Sequence, residues 1–167
     1  MCIPVIVLLL YFPEPGCRIS AGILFIIACI TDFLDGKIAR KQNLVTDFGK
    51  FIDPVADKLL VLTTLIMLVH LRMMEAWIVI IILCRELSVD GLRMVAVTKG
   101  RVIAAGQLGK WKTACQMLLI SLMLLFNYSV FQVWPITVLT FVVVFLTLFS
   151  GIEYFVKNAS VLSADQQ

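Results

Sequence analysis

The chain has 167 residues, 61% of them hydrophobic, with a mean hydropathy of +1.02 and a formal net charge of +3. That apolar content is far beyond what a water-soluble core of this length needs, so water is not the solvent for most of the chain. A bilayer core takes about 20 mostly apolar residues per helical span. The chain divides into about six such stretches, which predicts an all-α fold, a polytopic membrane bundle of about six transmembrane helices. No low-complexity tract, long linker or internal repeat interrupts it, so residues 1–167 read as a single membrane domain.

In chain order the expected spans are Met1–Phe12, Ile19–Ala39, Phe48–Leu71, Ala76–Val97, Leu108–Tyr128 and Val133–Val156. The first is short, with neither a basic flank before it nor a small-residue cleavage pattern after it, so it does not read as a signal peptide. It is expected to be the tail of a span that starts further upstream, in a truncated or misassigned N-terminus. Turn formers mark the connections, at Pro13-Glu14-Pro15-Gly16, Gln42-Asn43 and Lys99-Gly100. Thr46 is placed to cap the third helix, with Asp47 at the positive end of its dipole. Short connections make neighbouring helices antiparallel. Lys37, Arg40, Lys41 and Lys50 surround the second connection, and Lys99, Arg101, Lys110 and Lys112 the fourth. The positive-inside rule puts both connections, and both termini, on the cytoplasmic side of a cell membrane. The five cysteines stand singly, without a C-x-x-C pair, and read as small apolar side chains.

Five of the seven aspartates fall between residues 32 and 57, at the cytoplasmic ends of the second and third helices. Positions 32, 35, 36, 39 and 40 share one helix face by their spacing of three and four, and positions 49, 53 and 57 share one on the next helix. If those faces meet, the carboxylates of Asp32, Asp35, Asp53 and Asp57 converge beside the open space left by Gly36, Ala39 and Gly49. Four carboxylates so packed repel one another unless positive charge intervenes. Divalent metal resolves the conflict, and an all-oxygen donor set selects Mg²⁺ or Mn²⁺. With so many ligands, two ions about 3.5–4 Å apart can be held, the arrangement that clamps the entering and leaving oxygens of a phosphoryl displacement. The plainer reading makes these aspartates solvated helix-end charges paired with Lys37, Lys50 and Lys58. Four of them on matched faces favour a functional site, because ionisable groups in membrane spans are expensive.

The run D-x-x-D-G-x-x-A-R, eight residues, then G-x-x-x-D-x-x-x-D, from Asp32 to Asp57, resembles the signature of the CDP-alcohol phosphatidyltransferase family at every fixed position. Arg85-Glu86-Leu87 with Gly91-Leu92-Arg93, and Leu108-Gly109-Lys110-Trp111-Lys112-Thr113, are similar to the bacterial phosphatidylglycerophosphate synthase branch. The resemblance covers residues 21–125. It implies a six-helix enzyme of the bacterial cytoplasmic membrane, usually a homodimer, that takes CDP-diacylglycerol and sn-glycerol 3-phosphate to phosphatidylglycerophosphate and CMP. It further implies metal on Asp32, Asp35, Asp53 and Asp57, with Asp57 as the catalytic base. By the same resemblance, Gly36, Ala39, Arg40 and Gly49, together with Asp32, line the CDP site.

The signature holds no Cys, Ser or His to act as a covalent nucleophile, so direct displacement on phosphorus is the economical chemistry. Both substrates are anionic, which calls for a second positive site. Arg85 and Arg93, eight apart, share a helix face, and Lys110 opens the next helix on the same side. These three are expected to hold the acceptor phosphate, with Glu86 and Asp90 orienting them. Snorkelling to lipid headgroups is their bland alternative. His70 lies at the far end of the third helix and reads as an interfacial polar residue. Within the family, inositol phosphate or phosphatidylglycerol remain alternative acceptors. An aspartate-rich membrane prenyltransferase and an acidic cation transporter are the more distant readings. No nucleic-acid partner is expected.

Overall fold

The structure is a computed structural model. It describes residues 2–12, 14–42, 47–98 and 106–158, and the side chains of residues 33, 36–42 and 47–57 also lie outside the described residues. Every regular element among them is helical: α1 (Ile3–Tyr11), α2 (Pro15–Gln42), α3 (Asp47–His70), α4 (Ala76–Thr98), α5 (Gln107–Phe126) and α6 (Trp134–Lys157). The six expected stretches thus map one to one onto helices. The largest difference is at α2, which starts inside the Pro-Glu-Pro-Gly turn. Proline is at home in a first turn, where its fixed φ suits the helix and its missing N–H goes unneeded. At 28 residues, α2 runs about 42 Å, longer than the roughly 30 Å of a bilayer's hydrocarbon. Among the described residues two helices, α2 over Pro15–Asp32 and α6, are long and apolar enough to cross a membrane by length and composition. Thr46, expected as a cap, lies outside the described residues, and α3 begins at the next residue.

The packing closes a ring. α1 lies against α2 and α3, α2 against α5, α5 against α6, α6 against α4, and α4 against α3. Ile6, Phe25, Leu65, Ile82, Ile120 and Val143, one from each helix, meet in a continuous apolar core. Gly22 sets the α2–α5 distance, since a Cβ there would come within 3.0 Å of Leu124 Cβ. Small residues at helix interfaces allow this close approach. Outward, α6 presents Phe141, Phe145, Leu148, Phe149 and Ile152. An apolar stripe of that kind is costly against water and suits lipid.

One end of the bundle is tied together by polar contacts. α3 stops in a Schellman motif, with Met73 N–H donating to Leu68 O (2.9 Å) and Arg72 N–H to Val69 O (2.9 Å). Arg72 sits there at φ 56°, in the left-handed region that favours glycine. The α5–α6 turn is joined to this one by Val130 N–H donating to Met73 O at 2.9 Å. From α2, Arg18 donates to Asn127 Oδ1 and lies 3.9 Å from Met73 Sδ. His70 is exposed at this same end and stacks on Tyr11, with ring centroids 6.4 Å apart.

Candidate active site

The opposite end opens into a cavity of about 680 Å³ walled by α2, α3, α4, α5 and α6. Five helices reach it, with Cys29 and Asp32 of α2, Lys58, Leu60 and Val61 of α3 and Arg85 to Arg93 of α4 lying inside their helices, and with the first turns of α5 and the last turns of α6 completing the wall. Asp32 lines it from α2, Arg85 and Arg93 from α4, and Lys110 from the first turn of α5. Asp32 of the expected metal cluster and the whole basic trio therefore share one chamber. Asp35, one turn beyond Asp32, is exposed. The side chains of Gly36, Ala39, Arg40, Gly49, Asp53 and Asp57 lie outside the described residues, and only their places on the α2 and α3 backbone are given.

On the cavity wall a charge network joins three helices, with Lys58, Arg85 and Glu86 lining the cavity and Lys112 behind them. Glu86 is its hub. Its carboxylate is bonded by the Lys112 ammonium, by Arg85 Nη1 at 3.2 Å and, more distantly, by Lys58 Nζ at 3.8 Å. Lys58 is bonded in turn to Asp90. Lys112 is 2% exposed, and an ammonium so deep is retained only where an anion meets it. The three cations against two carboxylates leave one positive charge in surplus, on the wall that Arg93 and Lys110 extend. Glu86 orients Arg85, as the sequence led one to expect, whereas Asp90 serves Lys58 instead of an arginine. Lys58, which the plainer reading paired with the aspartates, turns to Glu86 and Asp90 of α4.

The arginines are also held from α6. Arg85 Nη2 donates to Ser150 Oγ at 3.1 Å, and Arg93 Nε donates to Tyr154 Oη at 3.1 Å, its guanidinium lying 5.5 Å from the centre of that ring. Arg85 Nε is buried without an acceptor among the described residues. Lys110, on the cavity wall, has no carboxylate partner among them either. The lining also carries Asp32, Glu86 and Glu153, but Glu86 and Glu153 are paired with cations, so the unengaged donors on Arg85 and Lys110 are suited to a phosphate, whose oxygens accept several charged hydrogen bonds at once.

Sequence reasoning missed Lys112, Ser150 and Tyr154. A signal existed for each. Lys112 falls in register with the buried stripe Gln116, Leu119, Ile120 and Met123. Thr140, Thr147, Ser150, Gly151 and Tyr154 form a stripe of small and hydroxylated residues on an otherwise greasy helix.

A family model described as CDP-alcohol phosphatidyltransferase matches residues 1–152. A protein of Bacillus subtilis (strain 168) named CDP-diacylglycerol–glycerol-3-phosphate 3-phosphatidyltransferase is 51% identical over 86% of this chain and 76% of its own length. Proteins of the same name from Rickettsia typhi and Haemophilus influenzae are 40% and 36% identical. They match 93% and 91% of this chain, and 89% and 84% of their own lengths.

Proposed function

The chain belongs to the CDP-alcohol phosphatidyltransferase family, and we propose that it transfers the phosphatidyl group of CDP-diacylglycerol to sn-glycerol 3-phosphate, giving phosphatidylglycerophosphate and CMP. The observation that carries the acceptor assignment is the gathering of Arg85, Arg93 and Lys110 around one chamber with Asp32, with a buried Arg85 N–H left to donate. A phosphorylated alcohol satisfies those donors. An uncharged one leaves them stranded, which costs binding.

In this reading the acceptor phosphate rests on Arg85, Arg93 and Lys110, and the acceptor hydroxyl faces Asp57, which takes its proton. The acceptor oxygen forms a bond to the phosphatidyl phosphorus as the bond from that phosphorus to the CMP oxygen breaks. Arg40 forks onto diphosphate oxygens, and Asp32, Gly36, Ala39 and Gly49 line the nucleotide. Asp32, Asp35, Asp53 and Asp57 offer an all-oxygen set that fits two hard divalent ions, Mg²⁺ or Mn²⁺. Such ions, when bound, offset charge on the diphosphate and on departing CMP. The six helices span the bacterial cytoplasmic membrane, the cavity end faces the cytoplasm as the basic connections direct, and the enzyme works as a homodimer.

The test is CMP release from CDP-diacylglycerol by the purified protein with Mg²⁺ or Mn²⁺, across a panel of acceptors. Release with sn-glycerol 3-phosphate is expected, and Arg85→Ala or Lys110→Ala should raise the KM for it at least tenfold while the lipid KM stays within about twofold. Release only with inositol phosphate or phosphatidylglycerol would move the acceptor within the family. No release with any alcohol would remove the reading.

A further inference from the structure

We propose that α6 is the positioning element of the acceptor site: Ser150 and Tyr154, one turn apart, each hold one arginine of α4 and so fix the spacing between the two guanidinium groups. The inference rests on the acceptor reading above.

Arginine is a long, rotamer-rich side chain, and immobilising one on binding costs conformational entropy. A site that fixes it beforehand avoids that loss at the moment of binding. Arg85 is fixed on two sides, by Glu86 at Nη1 and Ser150 at Nη2. Ser150 can present its oxygen because its own hydroxyl donates to Thr147 O at 3.2 Å, which sets the direction of its lone pairs. Gly151 makes room for the arginine stem, since a Cβ there would lie 3.2 Å from Arg85 Cγ. Arg93 is fixed by one residue in two ways. Tyr154, 7% exposed, accepts from Nε and offers its ring face to the guanidinium. Both terminal nitrogens of Arg93 are then left without an acceptor among the described residues. The register is simple. Residues 85 and 93 are just over two turns apart on α4, residues 150 and 154 just over one turn apart on α6, and the long side chains of Arg93 and Tyr154 take up the difference. Neither Ser150 nor Tyr154 need touch substrate, so each is a positioning residue.

Steady-state kinetics on Ser150→Ala, Tyr154→Phe and Gly151→Ala, each with KM for both substrates and kcat, test this. Tyr154→Phe keeps the ring and removes only the hydroxyl, so it is the variant least able to disturb folding. Ser150→Ala and Tyr154→Phe should each raise the acceptor KM about 5- to 10-fold, with kcat and the lipid KM within twofold. The double variant should multiply the two effects, because each hydroxyl serves a different arginine. Gly151→Ala should reproduce the Ser150→Ala pattern by pushing on the Arg85 stem. Unchanged acceptor KM in Tyr154→Phe and Ser150→Ala, or an equal rise for acceptor and lipid, would overturn the proposal and leave these residues as helix-packing contacts. If the wild type uses a different phosphorylated alcohol, the acceptor assignment falls while the same split, measured with that alcohol, still decides the role of α6. If it uses only uncharged alcohols, both fall.

Discussion

Replacing Glu86 by glutamine removes the one anion that the buried Lys112 touches among the described residues, and the structure fixes how costs should rank among the variants of this network. Lys112 is 2% exposed and bonded to Glu86, so Glu86→Gln strands an ammonium in a low-dielectric interior. Breaking a buried pair from one side costs about 3–5 kcal/mol. The reverse change, Lys112→Met, is milder, because Glu86 keeps Arg85 at 3.2 Å and Lys58 at 3.8 Å. A loss of about 1–3 kcal/mol is expected there. Removing both partners leaves Arg85 with Ser150 and Lys58 with Asp90. The double variant should therefore be more stable than Glu86→Gln alone, with a coupling of about 1–3 kcal/mol in its favour. Unfolding free energies in mixed detergent micelles give all four corners of the cycle. If Lys112→Met proves the more damaging single change, or the double variant is less stable than Glu86→Gln, then Glu86 is not the hub of the network.

Other substitutions test other parts of the account. Arg72→Gly should stabilise the protein by about 1 kcal/mol, because residue 72 already holds φ 56° and glycine adopts it without a Cβ penalty; a loss of stability in the same unfolding assay would show that the arginine side chain matters more than the backbone. Gly22→Val should cost about 1–3 kcal/mol by forcing α2 away from Leu124, and a variant as stable as the parent would mean that the two helices do not meet this closely. Asp57→Asn should give a folded protein that binds Mn²⁺, measured by calorimetry, with almost no CMP release. Near-normal turnover in that variant would free Asp57 from the role of base.

Much of this architecture is legible in the sequence because apolar runs of about 20 residues broken by turn formers leave little choice but helices. Hydropathy alone located all six helices, and their ends shifted by only a few residues. The α2 start moved most, since proline and glycine serve as readily in a first helical turn as in a loop. The acidic signature and the trio Arg85, Arg93 and Lys110 were readable for a related reason: charge is rare enough in such a chain that its spacing carries information. What stayed hidden depends on contacts between helices distant in sequence. Nothing local to α4 says that α6 will be its neighbour, so Ser150 and Tyr154 could not be paired with the arginines in advance. Lys112 was hidden by its surroundings, since one lysine in a basic segment looks like its neighbours until the register of the buried stripe singles it out.

The contacts from Arg18 and Val130 to the turn at Met73 have a mechanical consequence. They fasten α2, the α3–α4 turn and the α5–α6 turn at the end farthest from the chamber. The chamber end is held by different means, through the Glu86 network across α3, α4 and α5 and through the bonds from Arg85 and Arg93 to α6. The bundle is therefore braced twice, by hydrogen bonds to backbone and amide oxygens at one end and by ionic side chains at the other, so salt and pH act on the end beside Arg85 and Lys112 and leave the backbone bonds of the opposite turns untouched.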